Sequence, residues 1–223
     1  MLKKVIFYPP IPILLGSWLL FLLTSLNENI NMLTTDYYTN IPEVTASSIT
    51  QWYRALTALF LSNYGLPEII SNSVMLIILG LVTAKITSYL EFIIIFVVTG
   101  FLGNLLADFF IVQLFYGTFP SYLSTNGLNA HSVGMSTSLC GLLFYTLVVF
   151  KNPERLEERS KLDVFILAFW LFIGALPWLY PFIGGEPFNI SGYVHIGGSL
   201  CGLALGLLAL LAKKVLKTRV FSA

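Results

Sequence analysis

A serine and a histidine stand where they can do chemistry in an otherwise apolar chain. Ser136 lies in the run HSVGMSTSL (131–139), and His195 lies near the head of the run VHIGGSLCGLALG (194–206). A serine hydroxyl is a poor nucleophile until a neighbouring base takes its proton, and neutral imidazole is the usual base. If the fold brings the two together, the pair predicts covalent catalysis at Ser136 with His195 as general base. No aspartate lies near His195 in the sequence, so we expect a dyad and not a triad.

The composition indicates a chain that lies in a membrane. Of the 223 residues, 57% are hydrophobic and only 10% are charged, whereas a soluble domain carries about 25% charged residues. The net charge is only +1, and the sequence has no basic patch with aromatic residues interleaved in it. It therefore gives no reason to expect nucleic-acid binding. Cys140 and Cys201 both lie in apolar runs, so no disulfide framework is expected. The residues predict no cofactor and no metal site.

Six apolar stretches approach the length of about 20 residues that a helix needs to cross a bilayer. They cover about 5–26, 57–82, 90–116, 133–150, 162–183 and 192–212. We therefore predict an all-α polytopic membrane protein, with six transmembrane helices in a single domain over residues 1–223. A long polar loop, about 27–56, separates the first two spans. No small-residue cleavage pattern follows Lys3 and Lys4, so the first span is expected to be an uncleaved helix and not a signal peptide.

The basic residues set the expected orientation. Eleven of the twelve Lys and Arg residues fall on one side of the predicted spans: at the N-terminus and after spans 2, 4 and 6. This side is expected to be the cytoplasm, so the prediction is a multi-pass protein of the cell membrane with both termini cytoplasmic. Arg54 alone falls on the other side, and we expect it to have a structural partner within the loop 27–56.

The candidate residues are predicted to share one layer in the outer part of the membrane. Spans 2, 4 and 6 run in the same direction, so the distance to the basic residue after each span measures depth. At 1.5 Å per residue these distances are about 22 Å for Ser136, 27 Å for His195, 20 Å for Asn72 and 26 Å for Glu68. An amide at this depth, such as Asn72, can donate to the oxyanion that forms when a serine attacks a carbonyl.

Small residues favour the same pairing. Glycines recur at helical spacing after His195, and span 4 carries a matching run: Gly198, Gly202 and Gly206 in span 6, and Gly134, Ser136, Thr137, Ser138, Cys140 and Gly141 in span 4. Such stripes let two helix backbones approach closely in lipid. Packing is also the alternative role for Ser136, since serine in membrane helices commonly serves that purpose alone. A histidine inside the membrane more often marks a functional site.

In these features the chain resembles the rhomboid family of intramembrane serine proteases, over about residues 5–212. Five features of the family recur in the same order: a W-R pair before span 2 (Trp52 and Arg54), an asparagine and a glycine in span 2 (Asn72 and Gly80), a similar span 3 (TGFLGNLL, 99–106), a G-x-S-G motif followed by G-L in span 4 (Gly134-Met135-Ser136-Thr137, then Gly141-Leu142), and a histidine followed by glycines in span 6 (194–206).

The resemblance implies a six-helix rhomboid-like bundle that cleaves transmembrane-helix protein substrates near the outer face of the lipid bilayer. Ser136 would be the nucleophile and His195 the general base. Asn72 and the backbone N–H of Ser136 would form the oxyanion hole, and water would reach it from the outer side. Substrate helices would enter beside span 5 and a mobile cap at 180–193. The loop 27–56 would match the membrane-dipping first loop of the family.

Three residues depart from the family pattern. Glu68 stands where the family usually has a histidine that contributes to the oxyanion site, and a carboxylate cannot donate to an oxyanion unless it is protonated. Thr137 replaces the glycine after the serine and adds bulk close to it, and Cys140 replaces an aromatic residue that stacks on the histidine. His131 is a candidate replacement for the missing histidine, although a solvated loop position is the expected one.

These departures leave a second candidate function, a rhomboid-like pseudoprotease that binds membrane helices without cleaving them. A transporter is a more distant alternative, because the spans show no inverted repeat and no paired broken helices. Asp108 and Glu91 lie near the ends of spans, where charges reach the interface, and the sequence assigns them no role.

Overall fold

A computed structural model of the protein describes residues 8–62, 65–118, 131–150, 160–183 and 190–221. These residues are helical and contain no β-strand; one isolated antiparallel bridge joins Asn40 to Ser132. The predicted all-α fold is therefore confirmed. The centre of the predicted cap, at 184–189, lies outside the described residues.

The α-helices are numbered in chain order. They are α1 (Pro10–Leu26), α2 (Glu28–Tyr38), α3 (Pro42–Ser47), α4 (Tyr53–Thr57), α5 (Leu66–Thr83), α6 (Tyr89–Thr118), α7 (Ser136–Phe150), α8 (Lys161–Ile183) and α9 (Ile190–Phe221). Short 3₁₀ turns cover Ile49–Gln51 and Ala58–Phe60.

Each predicted span overlaps one of the longer helices, but the second helix begins later than the hydropathy indicates. The span predicted from residue 57 is interrupted after the turn at Ala58–Phe60, and α5 begins only at Leu66. Gly65, with φ of 80°, provides the break, and Pro67 suits the first turn of α5 because the N–H groups there have no helical partner.

Within the described ranges, three helices are long and apolar enough to cross a membrane. They are Leu66–Thr83, Tyr89–Phe110 and Gly192–Val215, while Pro10–Leu26 and Ser136–Phe150 are apolar but shorter. The count of six spans stays a prediction.

The segment predicted as a long loop, 27–56, is folded. It contains α2, α3 and the start of α4, and the side chain of Asn27 caps α2 by accepting from the N–H of Ile30 at 3.2 Å. Arg54 is buried in this segment, where its Nε donates to Gln51 Oε1 at 2.8 Å and its Nη1 donates to the carbonyl oxygen of Thr39 at 3.3 Å. The predicted partner for Arg54 is confirmed.

The core lies between α5, α6 and α7, and an ion pair lies at one end of it. Fully buried side chains fill it, among them Leu76, Leu79, Phe92, Phe96 and Leu142. At one end, Lys85 Nζ donates to both carboxylate oxygens of Asp163 at 2.7 and 2.8 Å, which joins the end of α5 to the start of α8.

Helix α9 packs on α7 and α6 through contacts between backbones. At three glycines of α9, an added Cβ would meet a backbone carbonyl oxygen of a neighbouring helix. At Gly198 this is the oxygen of Thr137, at Gly202 the oxygen of Gly141, and at Gly197 the oxygen of Gly103. We call Gly103, Gly141, Gly197, Gly198 and Gly202 the glycine seam. The predicted packing of spans 4 and 6 through small residues is confirmed, and α6 joins the contact through Gly103.

Gly202→Ala is expected to destabilise the fold by about 1–3 kcal/mol, the usual cost of overpacking a filled interior. The new methyl group would meet the Gly141 carbonyl oxygen, a backbone atom that cannot turn aside. Gly16→Ala in α1 is the matched control, because nothing lies within 4 Å of its Cβ position. There, alanine should stabilise the helix by up to about 1 kcal/mol. Equilibrium unfolding in one detergent measures both, and equal stabilities would contradict the packing described.

Candidate active site

Ser136 is the first residue of α7 and follows a turn that suits only glycine. Gly134 has φ of 101°, in the left-handed region that side chains disfavour. Its N–H donates to the carbonyl oxygen of Ala58 at 2.8 Å, and a Cβ there would meet Oε1 of Glu68. The turn leaves Ser136 partly exposed at the start of the helix. The N–H groups of that first turn have no partner within the helix.

His195 lies in the second turn of α9, and its Nε2 is 2.8 Å from Oγ of Ser136. The glycine seam produces this contact between residues 59 positions apart. Gly198, one turn beyond the histidine, touches the backbone of Thr137, the neighbour of the serine. The structure thus brings together the two residues that the sequence singled out.

The other ring nitrogen of the histidine has no partner among the described residues. Nδ1 of His195 is buried and unpaired there. The nearby hydroxyl of Ser199 donates to the His195 carbonyl oxygen at 2.8 Å, so it serves the helix backbone and not the ring. When Nε2 accepts the serine proton, the ring hydrogen stands on Nδ1. No carboxylate accepts from this nitrogen in the described part of the chain, and the catalytic dyad stays a prediction.

Asn72 and Glu68 lie one turn apart on α5 and both face the turn before Ser136. Asn72 is buried, and its Nδ2 lies 3.5 Å from the point where a Cβ on Gly134 would stand. The Glu68 carboxylate touches the same point through Oε1, while its Oε2 accepts from the hydroxyl of Ser62 at 2.6 Å. An amide and a carboxylate therefore flank the approach to the serine.

Thr137 projects into the junction of α6, α7 and α9. Its Oγ1 donates to Asn104 Oδ1 at 3.0 Å, and Nδ2 of Asn104 donates to the carbonyl oxygen of Ala55 at 2.9 Å. Its methyl group lies 2.9 Å from the Cβ position of Gly103 and 3.0 Å from that of Gly198. The residue that the sequence treated as added bulk beside the serine is thus a link between helices. Sequence reasoning missed Asn104, whose one signal was an amide inside an apolar span.

His131 contacts the segment between α2 and α3. Its Nδ1 is 2.6 Å from Oγ1 of Thr39. The two acidic residues without an assigned role both have partners. Glu91 accepts from the hydroxyl of Tyr145 at 2.7 Å, and Asp108, fully buried, accepts from Nδ2 of Asn40 at 3.0 Å.

The cysteines and acidic residues form no disulfide and no metal site in the ranges described. Cys140 and Cys201 are free thiols, and Cys140 is buried. Across those ranges, no three His, Cys, Asp or Glu side chains are grouped closely enough to hold a metal ion.

The sequence matches a known protein family. Residues 49–212 match the family model of the Rhomboid domain. The chain is 27% identical over 164 residues to RHOMBOID-like protein 6, mitochondrial, of Arabidopsis thaliana; the match covers 71% of this chain and 44% of that relative. The chain thus spans less than half the length of the curated relative it matches. No solved structure matches. With its apolar helices of membrane-spanning length, the chain is a membrane protein.

Thr137→Gly introduces the glycine that is usual in the rhomboid family. The substitution tests whether the threonine hinders access to the Ser136 hydroxyl. The free energy of unfolding is expected to fall by about 1–3 kcal/mol, since the hydrogen bond to Asn104 and the packing in the junction are lost. Labelling of Ser136 by a fluorophosphonate, a probe for activated serines, should change less than about tenfold. Thr137→Val, which keeps the volume, separates the hydrogen bond from the packing. Much faster labelling at unchanged stability would mean that Thr137 obstructs the serine.

Proposed function

The chain belongs to the rhomboid family, and we propose that it is an intramembrane serine protease with Ser136 as nucleophile and His195 as general base. The observation that carries the proposal is the 2.8 Å contact between Ser136 Oγ and His195 Nε2, made at partly exposed side chains. A hydroxyl held against a ring nitrogen in this way is the arrangement that nucleophilic catalysis needs.

The first half of the reaction forms an acyl-enzyme. His195 Nε2 takes the proton of the Ser136 hydroxyl while Oγ attacks the carbonyl carbon of the scissile peptide bond. The tetrahedral intermediate then collapses as the C–N bond breaks, and the imidazolium gives its proton to the leaving amine. The acyl group remains on Ser136 as an ester.

The second half releases the acid. Water attacks the ester carbonyl while His195 Nε2 takes one of its protons, and collapse of the second intermediate returns that proton to Ser136 Oγ. The products are a carboxylic acid and an amine, and the enzyme ends as it began. No cofactor takes part in the proposed reaction.

Two donors are proposed to stabilise the oxyanion of both intermediates. The backbone N–H of Ser136 is in the first turn of α7, where it has no helical partner. Asn72 presents Nδ2 beside the Gly134 turn, two residues before the nucleophile. Donors fixed in position before the reaction are worth about 2.7–4 kcal/mol each in comparable sites.

The proposed setting is a multi-pass cell-membrane protein with six spans and both termini in the cytoplasm, as the basic residues indicate. In that orientation the dyad lies in the outer part of the membrane. The proposed substrates are protein transmembrane helices, cleaved near the outer bilayer face. The name of the Arabidopsis relative places that protein in mitochondria.

One observation favours the second candidate, a pseudoprotease that binds membrane helices without cleaving them. The Glu68 carboxylate, held by Ser62, lies beside Asn72 and the Gly134 turn. An ionised carboxylate there would repel a developing oxyanion and so oppose catalysis.

Ser136→Ala and His195→Ala are each expected to abolish fluorophosphonate labelling of the solubilised protein, because one removes the nucleophile and the other its base. Ser138→Ala is the matched control. Its hydroxyl is buried in the same helix and has no partner among the described residues, so labelling should persist. A folded wild type that stays unlabelled would count against the protease and favour the pseudoprotease.

Glu68→Gln tests the effect of the carboxylate. Glutamine keeps the shape and the contact with Ser62 but removes the negative charge, so the labelling rate is expected to rise by about tenfold, or ~1.4 kcal/mol of removed repulsion. Glu68→His, which restores the family residue, should raise it as well. If labelling appears only in these variants, the wild type is the pseudoprotease; if Gln slows labelling, Glu68 supports the site.

A further inference from the structure

We propose that Asn40 and Asp108 are positioning residues that hold the chain segment leading into Ser136. The proposal rests on the proposed function of Ser136 as nucleophile. Neither residue touches the dyad; they act through the backbone of residues 132–134.

Asn40 is a fully buried hub between α2 and α3 whose polar groups are all engaged. Its backbone N–H donates to the carbonyl oxygen of Ser132 at 3.1 Å, and its carbonyl oxygen accepts from the Ser132 N–H at 2.7 Å. Its Oδ1 accepts from the hydroxyl of Thr45 at 2.7 Å, and its Nδ2 donates to Asp108 at 3.0 Å. A buried polar residue with every group satisfied can occupy only one orientation.

Asp108 is the part of this network that ties it to the core. It lies on α6 with none of its side chain exposed, and its Oδ1 receives the Asn40 amide. Its Oδ2 is buried with no hydrogen-bond partner among the described residues. Burying a carboxyl group in apolar surroundings is costly. The amide of Asn40 is its one described partner, and that bond fixes the α2–α3 segment to a membrane-length helix.

The hydrogen bonds of Asn40 hold Ser132, which lies four residues before the nucleophile Ser136. The pair of backbone hydrogen bonds at Ser132 holds one end of the segment, and the Gly134 N–H bond to Ala58 holds its middle. The contact of His131 with Thr39 lies beside the first anchor. Without the anchor at Asn40, the left-handed turn at Gly134 has support from one side only, and Ser136 is free to shift relative to His195.

The experiment compares Asp108→Leu, Asp108→Asn and Asn40→Ala with wild type, using the full chain in one detergent. Two quantities are measured: the kinetics of labelling by the fluorophosphonate, separated into kinact and KI, and hydrogen–deuterium exchange of the amides in 131–136. Ser47→Ala is the matched control, because its exposed hydroxyl bonds only within α3. Thr45→Val, which removes one hydroxyl from the hub, serves if Asp108→Leu does not fold.

Asp108→Leu and Asn40→Ala are expected to lower kinact by about 10- to 100-fold, the usual effect of misplacing a catalytic group by about 1 Å. KI should stay unchanged and exchange in 131–136 should become faster. Asp108→Asn keeps an acceptor for the Asn40 amide, so it should behave like wild type, as should Ser47→Ala.

The proposal is overturned if Asp108→Leu and Asn40→Ala leave both kinact and exchange unchanged. A lower kinact with unchanged exchange in 131–136 also overturns it, because the effect then travels by another route. An unlabelled wild type refutes the proposed function instead. The exchange data would still show whether Asn40 and Asp108 fix the segment.

Discussion

Contact between the backbones of α6, α7 and α9 at the glycine seam sets the position of the Ser136 and His195 side chains. Ser136 opens one of these helices and His195 lies near the start of another, and no covalent or ionic link joins them in the described residues. Their separation of 2.8 Å follows from how closely the helices approach. In lipid, where apolar side chains gain little from meeting each other, close packing of backbones is a main source of helix association.

Buried hydrogen bonds, together with the glycine seam, fix how the helices are oriented around the site. A buried polar group is costly unless it is paired, so each satisfied pair fixes an orientation. Thr137 and Asn104 join α7 to α6 and, through the carbonyl oxygen of Ala55, to α4. Asn40 and Asp108 join the α2–α3 segment to α6 and to the chain before the serine. The site is thus built from interhelical packing with a few hydrogen bonds at each end of the turn that presents Ser136.

The sequence predicted that Ser136 and His195 meet, because a helix converts residue number into depth and glycine spacing identifies the face that packs. It failed where contacts join segments that sequence does not relate. The polar stretch 27–56 reads as a loop, so the burial of Asp108 beneath it was not foreseen. Thr137 read as bulk beside the serine because its partner, Asn104, lies on another helix. The break before Leu66 was overlooked within one apolar run, although Gly65 and Pro67 mark it.

Whether helix packing holds His195 Nε2 against the Ser136 hydroxyl can be measured by ¹⁵N magnetic resonance of the imidazole rings. The chain has two histidines, and His131→Gln assigns the remaining signals to His195. We expect a neutral ring with hydrogen on Nδ1 and a hydrogen-bonded Nε2, whose signal moves on Ser136→Ala and also on Gly198→Ala, which leaves both partners intact. A His195 Nε2 signal that neither substitution moves would mean that the ring is not hydrogen-bonded to Ser136 and that helix packing does not hold it there.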